Sequence, residues 1–371
     1  MNFDNKLSLA QITNSVAVFG KKRTILVRGP MGSGKSSILK TLKGHMFPQF
    51  ANHAAVYFDC TTKLPGDISL PRLSSIDALG YVTMVPHEEL GLHLRKPLLL
   101  MIDEIGKADP GVLKAMLRLM LERVGPGGIE LHPDSVIFAT TNKASEGLGD
   151  LIPAHARNRI IILNMRTSTA QEWHEGFARN NGVHAAVSQW VLETPQVFAD
   201  YDDVKDPKDN PHIFHPKIQR ESFCTARSIH AASDILHDAE AHPDLIDQQQ
   251  LVSALVGTIG PDSASDLLIW FKLSQQMPSM ASIKADPMSA KIPSSSAVRC
   301  MIINKVLGMV DRECIDPWMT YLGRLPEEEQ AMFGKGATAK GYDPKRQQIV
   351  VTSPGYTAWS MKNAYMLRKD Q

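Results

Sequence analysis

Apolar and polar positions along the chain fall into two regimes. In roughly the first 165 residues, β-branched and aliphatic runs of strand length recur at 23–28, 54–60, 98–103, 135–141 and 160–165. The run 98–103 is apolar up to its last residue, as in a central parallel strand covered on both faces. Helical patterns fill the intervals, notably after Lys35 and over Val112–Val124, and residues 7–20 read as a helix or extended arm. Five strands alternating with helices predict an α/β fold with a parallel sheet covered on both sides. From Thr167 the pattern turns helical, with helices expected at 168–181, 183–192, 224–240, 246–257 and 262–275. Residues 276–297, rich in Met, Ser and Pro, read as a linker. Beyond them come an amphipathic helix from Met301 to Val310, an acidic first turn at Glu327–Glu329, a strand at 347–352 and a helix at 356–368. The expected division is 1–166, 167–275 and 276–371.

Chemistry enters at the first strand. Thr24–Val27 runs into Gly29-Pro30-Met31-Gly32-Ser33-Gly34-Lys35-Ser36-Ser37. Gly, four residues, then Gly-Lys-Ser between a strand and a helix is the phosphate-binding loop. Gly29, Gly32 and Gly34 lack Cβ, so the backbone would take positive φ and close around an anion. Backbone N–H groups and the helix start would face phosphate oxygens. Lys35 would reach the β- and γ-phosphates, and the Ser36 hydroxyl would ligate Mg²⁺.

The strand 98–103 ends in two carboxylates. Strand alternation sends neighbours to opposite sides, so the two are expected to divide labour. Asp103 is the candidate Mg²⁺ partner and Glu104 the candidate base for the attacking water. The strand 135–141 ends at Asn142, whose amide would fix that water against the γ-phosphate. Taken alone, such an Asn would as readily sit in an Asx turn.

Strand–loop–helix, strand–Asp-Glu and strand–Asn together resemble the AAA+ ATPases. The resemblance implies a phosphate-loop α/β core over 1–166, a helical lid over 167–275 and a mainly helical C-terminal extension. It implies ATP and Mg²⁺ as cofactors, and a homo-oligomeric ring, commonly a hexamer. Leu151–Ile160 looks like the helix carrying an arginine that reaches into the neighbouring subunit's site; Arg159 sits at the usual place and Arg157 competes. Glu221–Ser228 resembles the segment of the second sensor, with Arg227 as the candidate, although Ala226 stands where the family form has proline. Within AAA+ the closest likeness is to the MoxR group. Gly66–Pro71 and Gly80–Pro86 stand where those proteins carry an inserted hairpin, Asp103–Ala108 resembles their acidic motif, and Thr167–Phe198 their lid opening. That likeness implies a protein client or a partner with a von Willebrand factor A domain. The rival readings are an AAA+ motor or loader on nucleic acid, a nucleotide-gated ring scaffold, and a phosphate-loop kinase, the last disfavoured by a water-activating Glu104.

Composition narrows the choice little. The 371 residues carry 40 basic and 39 acidic side chains, so no global basic field indicates nucleic acid. Cys60, Cys224, Cys300 and Cys314 lack metal-ligand spacing and suit a reduced, cytoplasmic setting. Asp200–Asp209 is acidic but has Pro211 where a calcium loop needs its bidentate acid, and His212 and His215 read as loop residues. No apolar run approaches bilayer length.

Overall fold

A computed structural model describes residues 6–73, 80–143 and 153–367. The chain divides into two compact units, residues 1–167 and 168–371. The first holds strands β1 (Lys6–Leu7), β2 (Ile25–Arg28), β3 (Ala54–Asp59), β4 (Ser69–Arg72), β5 (Thr83–Pro86), β6 (Leu98–Asp103), β7 (Val136–Thr141) and β8 (Ile161–Met165). Its described helices are α1 (Leu9–Phe19), α2 (Ser37–Leu42), α3 (Pro110–Glu122) and α4 (Ala154–Arg157). Six strands form one all-parallel sheet in the order β1-β8-β2-β7-β6-β3. The five expected strands are present; β1 is a two-residue addition at the edge, too short to leave a periodic signal.

Alternation along the strands explains the layers. Leu98, Leu100 and Ile102 join Val112, Met116, Leu119 and Met120 of α3 in one buried cluster. Leu99 and Met101 join Ile12 and Val16 of α1 and Ile38 and Leu42 of α2 in another. Both faces of β6 are therefore covered, which is why its sequence never turns polar before Asp103. Asp109 starts α3 by accepting from the Gly111 N–H at 2.7 Å, with Pro110 at the first helical position. The Thr24 hydroxyl donates to the Met120 carbonyl at 2.6 Å, tying the end of α3 to the start of β2.

Two short antiparallel features project from this unit. β4 pairs with β5 as a ribbon, with residues 74–79 outside the described set. A tight hairpin follows α3, closed by Gly125 N–H to the Ile129 carbonyl at 2.8 Å. Gly127, at φ 71°, faces the Met84 carbonyl so closely that a Cβ there would lie 2.2 Å from it.

The second unit is helical: α5 (Ala170–Gly176), α6 (Ala185–Glu193), α7 (Ala226–Ala241), α8 (Gln248–Ile259), α9 (Pro261–Ser274), α10 (Met280–Ala285), α11 (Ser296–Met309), α12 (Ile315–Leu322), α13 (Glu327–Ala337), α14 (Pro344–Thr352) and α15 (Pro354–Lys362). One core gathers around Trp190 and another around Trp318. The stretch 276–297 carries α10, whose Ile283 is fully buried. Residues 347–352 are helical, not the expected strand. Asp343 caps that helix through the Arg346 N–H at 2.8 Å and Pro344 opens it, and these start signals override the β-branched run Ile349–Val351. His212 and His215 lie buried in loop structure, bonded to the Ser263 hydroxyl and the Val204 carbonyl. The four cysteines are free thiols. No helix among the described residues is long and apolar enough to cross a membrane.

Candidate functional site

The site forms at the carboxyl ends of β2, β7 and β6, which are neighbours in that order. After β2 the chain turns through Gly32 at φ 66° and Gly34 at φ 91°, values that favour glycine. Gly29 does not share that conformation. It is small because it packs against Met165, whose Cβ would sit 3.1 Å from a Cβ at position 29. The loop is knitted internally: Ser33 Oγ donates to the Pro30 carbonyl at 2.7 Å and Ser37 Oγ to the Gly34 carbonyl at 2.7 Å.

Lys35 is buried, and its Nζ donates to the carbonyls of Gly29 (2.9 Å) and Pro30 (2.8 Å) and to Asn142 Oδ1 (2.8 Å). Asn142 thus joins the phosphate-loop lysine across adjacent strands, and its amide oxygen faces a cation rather than closing an Asx turn. Ser36 precedes α2 at the N-cap but does not cap it. Its hydroxyl donates instead to Asp103 Oδ2 at 3.3 Å.

Asp103 is the most heavily bonded carboxylate of the site. Oδ2 also accepts from the Tyr57 hydroxyl at 2.8 Å; Oδ1 accepts from the Thr140 hydroxyl and from the Glu104 N–H at 3.1 Å. All four donors are neutral, so no basic side chain is among the hydrogen-bond partners of Asp103 in this set. Partial burial and then Asp103 itself push the Tyr57 phenol upward, which keeps it a donor. Cys60 nearby is pushed up to about 12 by burial and by Asp59 and Asp103, so it remains a thiol.

Glu104 adopts the left-handed conformation, φ 52° and ψ 38°. Its side chain leaves Asp103 because of this turn, not because of strand alternation. Glu104 Oε2 lies 3.0 Å from Lys107 Nζ. Gly106 makes the turn possible, since a Cβ there would lie 2.3 Å from Thr141 Oγ1.

Lys35, Ser36, Asp103, Glu104 and Asn142 are therefore gathered at one edge of the sheet. Arg157 and Arg159 stand exposed at the end of α4, just before β8, and Arg227 is exposed in the first turn of α7 in the other unit. The rest of the segment proposed for the trans arginine, residues 151–152, lies outside the described set. Tyr57 and Thr140 were not legible as site residues. Tyr57 reaches Asp103 only because β3 pairs with β6 in the register Asp59–Asp103, which no local pattern reveals.

No protein-family model matches the chain. Among solved structures it is similar to a mutant RuvB of Thermotoga maritima, with 16% identity, a TM-score of 0.37, and 67% of each chain covered. It is also similar to NtrX of Brucella abortus in complex with ADP, with 13% identity and a TM-score of 0.36, over 96% of this chain and 68% of that one. A further likeness is to Saccharomyces cerevisiae Hsp104 with ADP, at 21% identity and a TM-score of 0.28, where 42% of this chain corresponds to 31% of the other. At these scores neither a fold nor an activity is carried over to this chain.

Proposed function

We propose that this chain is an Mg²⁺-dependent ATPase of the AAA+ type, MoxR-like, working as a ring that drives a conformational change in a protein partner. The observation that carries the reading is the convergence of Lys35 with Asn142 and of Ser36 with Asp103 at one sheet edge. Lys35 exchanges its loop carbonyls for β- and γ-phosphate oxygens when nucleotide enters. The Ser36 hydroxyl and the Asp103 carboxylate fit Mg²⁺, being hard oxygen donors already in contact and free of a competing basic side chain in that set. Bound there, the metal supplies charge neutralisation on the phosphates. Glu104 takes the proton of the attacking water, and Asn142 orients that water. Lys107, paired with Glu104 at 3.0 Å, gives way as the carboxylate turns toward the water.

Arg159, with Arg157 as the competitor, completes the site from the neighbouring subunit, and Arg227 acts from the lid. A guanidinium suits both tasks because it stays charged and forks over phosphate oxygens. If the arginine acts in trans, the interface is head-to-tail and the ring is closed; the AAA+ resemblance makes it a hexamer. Residues 167–275 serve as lid and 276–371 as extension.

A protein partner is favoured over nucleic acid by the β4–β5 ribbon. It exposes Leu70, Leu73, Tyr81, Val82 and Met84 close together in sequence, a surface suited to apolar contacts rather than to phosphates. The likeness to MoxR proteins makes a von Willebrand factor A domain the expected partner type. The test is a Glu104→Gln trap form held in ATP. Co-purification of a protein that is released on nucleotide removal supports the reading, whereas bound nucleic acid overturns the partner assignment. Absence of ATP turnover in the unsubstituted protein overturns the enzyme.

A further inference from the structure

Away from the sheet edge, the second unit contains a cavity of about 210 Å³. Its polar lining includes His174, Arg179 and Asn304, which are 2%, 9% and 6% exposed. Arg179 is the unusual member. No carboxylate among the described residues reaches ion-pair distance of its guanidinium, and its Nε has no hydrogen-bond partner. Glu175 acts on it only at longer range. A buried cation left without a counter-ion is costly.

The neighbours do not relieve it. His174 and Asn304 lie beside each other without meeting in hydrogen-bond geometry; both ring nitrogens and both amide atoms lack partners. Burial, then Arg179, pulls His174 down to about 4, so the imidazole is neutral at pH 7. At the mouth, Lys305 and Glu240 offset each other. Arg179 is therefore a lining residue whose positive charge has no ion-pair partner among the described residues, its guanidinium carbon lying 3.6 Å from where a Cβ at Gly336 would stand. Waters would satisfy the hydrogen bonds but not that charge.

His184, His237 and Glu240 at the mouth have the residue types for a metal, with ligating atoms within 4.8 Å of one another. The tautomer argues otherwise. His184 Nδ1 accepts from the Ala186 N–H at 3.1 Å, so neutral His184 carries its proton on Nε2, which faces Glu240 Oε1 at 3.3 Å. The lone pair a metal needs points into the helix start instead.

The remaining wall is apolar, with Val183, Met277 and Met309. We propose that this cavity binds a small organic monocarboxylate, its carboxylate on Arg179 with Asn304 and His174 as neutral partners, and its alkyl body along Val183, Met277 and Met309. One charge calls for a monoanion, and the apolar wall calls for a carbon chain rather than an inorganic ion.

The full chain is titrated with butyrate against sodium chloride at equal ionic strength, followed by thermal melting and by ¹³C methyl shifts of Met277 and Met309. A saturable rise in Tm with the same midpoint as saturable shifts at those two methyls is expected. Arg179→Met should weaken binding by about tenfold or more, the loss of one charge-assisted contact. No saturable response, an equal response in Arg179→Met, or inorganic phosphate binding as tightly as butyrate each overturns the proposal. If Arg179→Met fails to fold, the methyl titration of the unsubstituted protein decides: shifts confined to the cavity support it, and shifts spread over surface methyls sink it.

Discussion

Glu104 and Asp103 are adjacent in sequence yet meet different surroundings. Asp103 is fixed by four neutral donors, while Glu104 turns away through a left-handed residue and meets Lys107. On the proposed mechanism, replacing Glu104 with Gln removes the base while leaving Ser36 and Asp103 as they are. Steady-state ATP turnover should fall by on the order of 10²–10⁴ with nucleotide binding retained; turnover within a factor of about two of the parent takes Glu104 out of the base role. Lys35→Ala should weaken ATP binding by at least about tenfold in calorimetry, the scale of a charged hydrogen bond; unchanged affinity counts against the phosphate role. Lys35 was legible as a candidate because the phosphate loop is a contiguous motif, and Asp103 and Glu104 because they close an apolar run of strand length. The sequence did not reveal Tyr57, whose hydroxyl supports Asp103 from a different strand, nor that Gly29 serves packing rather than a positive φ.

Elements inherit precision from single close approaches. Gly106 touches Thr141 at the end of β7, one residue before Asn142. Gly106→Ala pushes that strand end away from the loop and should cost about 1–3 kcal/mol in urea unfolding, as overpacking does. ATP turnover should drop with it, because Asn142 shifts relative to Lys35; full activity with full stability means the contact relaxes elsewhere. The five long strands were legible because each is an apolar run bounded by turns and because buried parallel strands need no polar alternation. The helix 344–352 was misread as a strand at its end because three consecutive β-branched or aliphatic residues outweighed the start signals upstream. The edge strand Lys6–Leu7 escaped because two residues carry no period.

At the scale of the whole molecule, assembly and acidity each give a test. Mixing Arg159→Ala with Glu104→Gln protein should restore part of the ATPase activity, since mixed rings contain sites with both groups intact. Persistent inactivity in rings of unchanged size assigns Arg159 a structural part. Acid should act on the helical unit through His174. Its folded pKa, about 4, lies below the unfolded value of 6.5. The neutral ring therefore contributes stability that is fully present above pH 6.5 and is lost as pH falls toward 4. The loss amounts to about 3 kcal/mol at most. Urea midpoints of the parent should drop over that window more steeply than those of His174→Phe; parallel slopes refute the assignment.

The short pairing of Lys6 and Leu7 with Asn164 and Met165 has a wider consequence. It covers main-chain donors and acceptors on the outer side of β8 that would otherwise invite a strand from another molecule. Removing the chain through Leu7 should therefore make the apparent mass in light scattering climb with concentration more steeply than that of the parent.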